Sequence, residues 1–286
     1  MKKNQFIITL FIIILLLAFP IESHAGNKGK KQKSEAKIPV LMYHHLSYDD
    51  PKGNPSITSP DKFRAELELL KDRGYTTIFF KDYINHIESG APLPEKPIII
   101  TFDDGYYSNF QYAFPILKEL EMKATISIIG WSMGREYHKD NVTKIIKHFS
   151  WEEAKIMYDS GLIDIQHHSF DLHDNKNGVK GVSKMPGESK EDYFKRFVRD
   201  TLLLKTLIQT KIGNEVIVYT YPYGKYNETT EKLLRKMGFK ATLSVQKGVS
   251  DFNTSLYGIK RYNMAPNVSS EKIINEIERK RTGHSH

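Results

Sequence analysis

From Ile38 onward the sequence alternates short β-branched runs with stretches of helical periodicity, and this alternation constrains the fold more than any other feature. Strands are predicted at 39–44, 75–80, 97–102, 124–129, 162–167, 215–221, 239–245 and 257–262. Helices are predicted at 60–73, 81–89, 109–121, 150–160, 189–212, 227–237 and 269–280. Strands joined through helices lie parallel, so this repetition implies a mainly parallel sheet with helices outside it. Seven or eight such units in about 250 residues favour a closed α/β barrel over an open doubly wound sheet. Helix boundaries carry chemical markers. Ser59-Pro60 places a cap before a first-turn proline, and Ser150-Trp151-Glu152-Glu153 is a capping box. Gly74, Gly161, Gly213 and Gly238 stand where helices end. There is no internal repeat and no second domain, so 38–286 reads as one domain.

The first 25 residues have the layout of an export signal. Lys2 and Lys3 precede a fourteen-residue apolar run, Phe6 to Phe19, broken only by Thr9, and Ser23-His24-Ala25 supplies a small-x-small cleavage pattern. The run is shorter than the roughly 20 residues of a bilayer span, and Pro20 ends it. An uncleaved N-terminal anchor is the alternative; both readings put the remaining chain outside the cytoplasm, secreted or at the cell surface or wall. Residues 26–37 (GNKGKKQKSEAK) read as a flexible basic linker. The segment 1–37 carries seven Lys and two Glu, which leaves the body only +3 of the chain's +8. The basic character is thus largely a property of the tail. The tail suits contact with anionic wall polymer or lipid head groups, or serves as a solvated spacer. No basic patch interleaved with aromatics points to nucleic acid.

The chain has no cysteine, which excludes disulfides, thiolate metal sites and thiol nucleophiles and leaves oxygen and nitrogen ligands. Polar residues gather where predicted strands end. Ile98–Phe102 runs into Asp103-Asp104-Gly105, Leu162–His167 into His168-Ser169-Phe170-Asp171-Leu172-His173, Val216–Tyr221 into Pro222-Tyr223-Gly224, and Val40–Tyr43 into His44-His45. In a parallel barrel those ends share one face, the face on which such barrels carry catalysis. Asp-Asp-Gly and Tyr-Pro-Tyr-Gly are each ordinary turn chemistry when taken alone. Four strands converging on one mouth carry more weight. A bent loop could bring His168 and His173 to one point, and two imidazoles with a carboxylate suit zinc or another first-row divalent ion with positions left open. Adjacent side chains leaving a strand diverge, so one aspartate could bind the ion while its neighbour takes a proton from water.

The combination of Thr101-Phe102-Asp103-Asp104, a His-Ser pair and a Tyr-Pro-Tyr-Gly turn resembles the polysaccharide deacetylases, carbohydrate esterases with a NodB-homology domain. The resemblance covers essentially all of 38–286 and is densest from 97 to 245. The five-residue spacing of His168 and His173, together with Leu41-Met42-Tyr43-His44, looks like the poly-β-1,6-N-acetylglucosamine deacetylases of biofilm matrix. The resemblance implies a distorted (β/α)7–8 barrel, with Asp104, His168 and His173 as metal ligands and Asp103 as general base. It also implies the backbone N–H of Tyr223 as oxyanion donor, beside Tyr221 and Pro222 at the substrate. The family's general acid is usually a histidine near the C-terminus. Here the only histidines there are His284 and His286, in a patternless tail, so His44 takes the role by likeness to the biofilm subgroup and His45 points elsewhere. Thr220 stands where the family has an arginine before the Tyr-Pro motif, and Arg261 is expected to orient Asp103 instead. Tyr106, Tyr107, Trp131, Tyr223 and Tyr226 are expected sugar-stacking surfaces, although core packing explains aromatics equally well.

The function so implied is a secreted, metal-dependent N-deacetylase acting on an extracellular N-acetylglucosamine polymer. The expected cofactor is a divalent metal ion, zinc first, with cobalt, nickel and manganese left open by the same donors. Water attacks the acetamide, Asp103 takes its proton, and His44 protonates the departing amine as acetate is released. The β-1,6-linked polymer is favoured, with peptidoglycan or chitin oligomers as the alternative. No glycoside hydrolase domain is present, so cleavage of the polymer itself is not expected. Two rivals belong to other classes. A non-catalytic wall-binding protein has no need of a spare Asp103. A non-haem iron oxygenase shares the two-His, one-carboxylate set, but the chain shows no cosubstrate anchor.

Overall fold

The computed structural model describes residues 37–49, 53–173, 175–176 and 179–282. The expected export segment, nearly all of the basic linker, and His284 and His286 lie outside the described residues. The chain opens with β1 (Val40–Tyr43) and two short strands that pair with each other, β2 (His45–Leu46) and β3 (Ile57–Thr58). There follow α1 (Pro60–Asp72), β4 (Thr76–Thr77), α2 (Phe80–Ser89) and β5 (Pro97–Asp104). A π-turn at Asn109–Ala113 leads into α3 (Phe114–Leu120), then β6 (Ala124–Ile128), α4 (Trp151–Asp159) and β7 (Ile163–His167). A small antiparallel pair, β8 (Asn175–Lys176) and β9 (Val179–Lys180), precedes the long α5 (Lys190–Lys211). The chain ends with β10 (Val218–Thr220), α6 (Glu228–Lys236), β11 (Ala241–Leu243), β12 (Tyr262–Asn263) and α7 (Ser270–Thr282).

The main sheet runs β11-β10-β7-β6-β5-β1-β12, with every neighbouring pair parallel and β4 added against the start of β5. Its two ends meet. Ile259 N–H donates to Thr242 O at 2.8 Å and Ser244 N–H to Ile259 O at 2.9 Å, and the same segment continues into β12, which pairs with β1. Backbone hydrogen bonds therefore run round a closed but distorted barrel. The strand predicted at 257–262 is split because it changes neighbour half-way, and Arg261 sits at the change. The strand predicted at 75–80 stops at Thr77, because Asp82 caps the amide of Phe79 at 2.9 Å and starts α2 there.

The helix predicted at 109–121 begins as a π-turn. Pro115 has no N–H to continue the α-helical ladder, and the amide of Phe114 reaches back five residues to Asn109 O. The other helices keep the predicted caps: the Ser59 hydroxyl accepts from Lys62 N–H at 3.2 Å, and Ser150 and Glu153 cap reciprocally. Strand side chains alternate between two environments. Ile98, Ile100 and Phe102 pack with Ile126, Ile165 and Tyr219 against Phe63, Leu117, Met157 and Leu204 of the outer helices. Thr101, Asp103, Thr125, Ser127, Gln166 and Thr220 alternate with those residues and are all buried. A second apolar cluster joins Val40, Ile99 and Val218, near the strand beginnings, to Phe80, Tyr83 and Ile84 of α2 and to Phe252. Apolar packing thus fills one end, and the polar strand ends are left to the other.

Candidate active site

Asp103 and Asp104 are the last two residues of β5, held in register with Ser127 and Ile128 of β6, so the strand extends two residues beyond its predicted end. Asp104 has φ +76° and Gly105 +82°, which turns the chain sharply after the pair. The two carboxylates then meet different partners. Arg261, 1% exposed, donates from Nη1 to Asp103 Oδ1 and from Nη2 to Oδ2, each at 2.7 Å. It also donates to Thr101 Oγ1 at 3.1 Å and Ser244 O at 2.9 Å. Such a two-pronged pair fixes the carboxylate's plane as well as its charge. Burial alone would raise Asp103, but Arg261, with His168 and His44, brings it below the usual carboxylate range. His44 Nε2 stands 3.9 Å from Asp103 Oδ2, while its carbonyl accepts from Asn109 Nδ2 at 2.8 Å.

Asp104 faces the histidine loop. His168 Nε2 and His173 Nε2 each lie 3.3 Å from Asp104 Oδ1, and the three ligand atoms all fall within 4.8 Å of one another. A tetrahedral centre with bonds of about 2.0–2.1 Å spaces neighbouring donors about 3.3–3.4 Å apart. The observed spacing fits a divalent cation. Asp104 Oδ1 is also buried with no hydrogen-bond partner, an atom in want of a positive neighbour. His168 Nδ1 lies 2.8 Å from Thr220 O. A carbonyl only accepts, so Nδ1 carries a hydrogen, and Nε2 is the ring nitrogen turned toward Asp104. Burial opposes ionisation of Asp104, but His173 and His168 hold its carboxyl well below the ordinary range.

The remaining predicted residues divide by exposure. Tyr223 has φ +56°, is 38% exposed, lays its ring 4.5 Å from that of His173 and donates its hydroxyl to His173 O at 3.1 Å. Tyr106 packs edge-on to His45 at 5.3 Å and against His148 at 5.0 Å, and burial beside Asp104 raises its phenol. Tyr221 and Pro222, expected at the substrate surface, are buried, with Tyr221 stacked under Tyr226 at 4.6 Å. Their side chains support the turn from beneath and offer no face to a sugar. The Trp131 ring is taken up by His138, at 5.0 Å, and by Lys139 above its face. Tyr107 lies under Lys147, 4.1 Å from its ring centre. His45 turns away from the carboxylates and meets Ser108 Oγ at 2.8 Å.

Several contributors escape a reading of motifs. The Ser108 hydroxyl also accepts the Leu46 amide at 3.0 Å, so Ser108 and Asn109 together pin the backbone around His44. Thr220, in the position expected to hold arginine, supplies the carbonyl that orients His168, and its hydroxyl bonds Ser127 Oγ at 2.7 Å across the sheet. The only hint in the sequence is the Ser-Asn pair following Asp-Asp-Gly-Tyr-Tyr.

A profile of the family described as polysaccharide deacetylase matches residues 90–242, just over half of the chain and the segment holding both aspartates and both histidines. The chain belongs to the polysaccharide deacetylase family. YxkH of Bacillus subtilis, whose name assigns it provisionally to the polysaccharide deacetylases, is 32% identical over 248 residues, covering 87% of this chain and 78% of that one. The poly-β-1,6-N-acetyl-D-glucosamine N-deacetylase of Staphylococcus epidermidis is 27% identical over 292 residues, 96% of each chain. Among solved structures, IcaB from Ammonifex degensii superposes with a TM-score of 0.72 at 25% identity, covering 85% of this chain and 97% of that one. The protein is therefore a hydrolase, a polysaccharide deacetylase on a barrel shared with its structural neighbours. The oxygenase and non-catalytic readings are set aside.

Proposed function

We propose that this deacetylase is a divalent-cation-dependent N-deacetylase of N-acetylglucosamine polymers, with the β-1,6-linked polymer as substrate, working outside the cytoplasm. The observation that carries the reading is the meeting of one carboxylate and two imidazoles around a common point, with a second carboxylate locked as an anion beside them. Asp104, His168 and His173 would hold the ion; zinc suits this donor set, and cobalt, nickel and manganese would be accepted too. A cation bound there acidifies water and polarises the acetamide carbonyl. Asp103, kept ionised by Arg261, is the group placed to take a proton from the attacking water. The Tyr223 N–H, at a turn strained by positive φ, is the donor for charge developing on the carbonyl oxygen. His44 protonates the departing amine as acetate leaves.

The substrate assignment rests on the Staphylococcus epidermidis relative, named for β-1,6-linked N-acetylglucosamine and alike along 96% of both chains. The extracellular setting rests on the charged start, apolar run and small-x-small pattern of residues 1–25, and the basic 26–37 linker suits contact with an anionic wall or membrane surface. The test is acetate release from β-1,6- and β-1,4-linked N-acetylglucosamine oligomers of equal length. Faster turnover of the β-1,6 series supports the assignment, and preference for β-1,4 would shift it to peptidoglycan or chitin. Asp103→Asn should be inactive on both, and full activity in that variant would remove Asp103 from the base role.

A further inference from the structure

The six residues from His168 to His173 carry both proposed imidazole ligands, yet no strand or helix supports the stretch between them. Side chains hold its amides, while the Ser169 and Phe170 carbonyls accept from Gly130 N–H at 3.1 Å and Trp131 N–H at 3.0 Å. The Ser169 amide donates to His167 Nδ1 at 3.0 Å and the Leu172 amide to Ser169 Oγ at 3.2 Å. The two amides in the middle go to one group. Phe170 N–H donates to Asp200 Oδ1 at 2.9 Å, and Asp171 N–H to Asp200 Oδ2 at 2.6 Å. Four consecutive amides are thus held by three side chains, and the central pair depends on one carboxylate of α5. Its neighbour Thr201 braces the same loop, because the Thr201 carbonyl receives the Nε2 hydrogen of His167 at 3.0 Å and so leaves Nδ1 free to accept from Ser169.

Packing holds the loop on one side only, where Leu172 lies in the core and Phe170 against Gly130. A cavity of about 470 Å³ borders the loop, lined by Phe170, Asp171, Leu172, Arg196, Asp200 and Leu203, so the backbone has room to shift once its anchor is lost. Ser169, at φ +72°, is in a conformation that a side-chain-bearing residue keeps only where its surroundings enforce it. Asp200 itself is 8% exposed and sits within a 22-residue helix, a rigid mount for a carboxylate.

We infer that Asp200 is a positioning residue for the cation site, setting the separation and direction of His168 and His173 by clamping the two amides between them. The inference rests on the cation-site reading proposed above. Asp200 touches no ligand atom: its carboxylate holds the backbone, and the backbone carries the imidazoles. Groups that orient metal ligands typically alter affinity about 10- to 100-fold when removed.

The test measures Co²⁺ and Zn²⁺ dissociation constants for the full chain by chelator competition, with the visible absorption of bound Co²⁺ reporting ligand geometry. Asp200→Asn keeps the side-chain volume but turns an NH₂ group toward one of the two amides. The expected result is affinity weakened about 10- to 100-fold with an altered Co²⁺ spectrum in a protein whose circular dichroism is native. Asp200→Glu, which retains both acceptor oxygens, covers the case in which the Asn variant does not fold, and should bind within about tenfold of wild type. A folded Asn variant with wild-type affinity and spectrum would overturn the inference, as would a Glu variant weakened a hundredfold. Failure of wild-type protein to bind either ion would instead remove the cation-site reading itself, and this inference with it.

Discussion

Replacing Arg261 with lysine tests whether the buried arginine sets the charge of Asp103. The pair is 0% and 3% exposed by side chain, and its two contacts are both 2.7 Å, so no solvent stands in for a lost prong. Lysine keeps the positive charge but supplies a single point of contact. It also gives up a bond to Thr101 Oγ1 or Ser244 O. Hydrogen bonds to charged groups contribute about 1.5–3 kcal/mol each, so a folding-stability loss of roughly 2–4 kcal/mol is expected. Full removal, as in Arg261→Met, leaves an uncompensated buried carboxylate and costs about 3–5 kcal/mol. Burial is what pushes Asp103 upward and Arg261 is the largest force holding it down, so weakening the pair moves the carboxyl toward higher pH. The assay is acetate release across pH at saturating ion. The acid limb of kcat/KM should move to higher pH, and turnover should fall about 10- to 100-fold, short of the 10²–10⁴ that a general base typically contributes. Ion affinity should be unchanged, because Arg261 touches Asp103 and not Asp104. A lysine variant whose pH profile overlies that of wild type would refute the reasoning.

Two further predictions follow from packing and titration. Gly224 has φ +65°, and a Cβ there would collide with the Val245 side chain, so Gly224→Ala should distort the Tyr223 turn, lowering kcat more than it raises KM and costing about 1–3 kcal/mol of stability by urea titration. His148 is buried, 6% exposed, and burial lowers it from 6.5 to about 4. The unfolded chain therefore binds this proton at higher pH than the fold does. Its contribution to stability is complete above pH 6.5 and is lost as pH falls toward 4, by about 2 kcal/mol at pH 5. Unfolding free energies of chelator-treated protein from urea titration at pH 8 and pH 5 should differ less by that amount in His148→Gln, and an equal loss in both proteins would contradict the assignment.

Much of this was legible because the signals were local. Caps at Ser59 and Ser150 placed α1 and α4 within a residue, and the polar residues after Phe102, His167 and Tyr43 marked the face on which the candidate site lies. What was not legible depends on contacts distant in sequence. Arg261 was expected at Asp103 from the resemblance, but the route that brings it there, a last strand that changes neighbour between β11 and β1, is not encoded in hydropathy. Tyr221 could not be told from a surface aromatic, because a three-residue strand followed by a turn has too little alternation to fix which way a ring points. The clamping role of Asp200 is hidden for another reason: an aspartate within an amphipathic helix reads as a solvated face until the loop packed on it is seen.

The most direct test of the central claim is a titration of chelator-stripped enzyme with Zn²⁺, following acetate release from an N-acetylglucosamine oligomer. Activity should rise linearly and break at one ion per chain, while Asp104→Ala, which loses the carboxylate between the two imidazoles, should show no such break. Full activity in the stripped enzyme, or the same break in Asp104→Ala, would contradict the account.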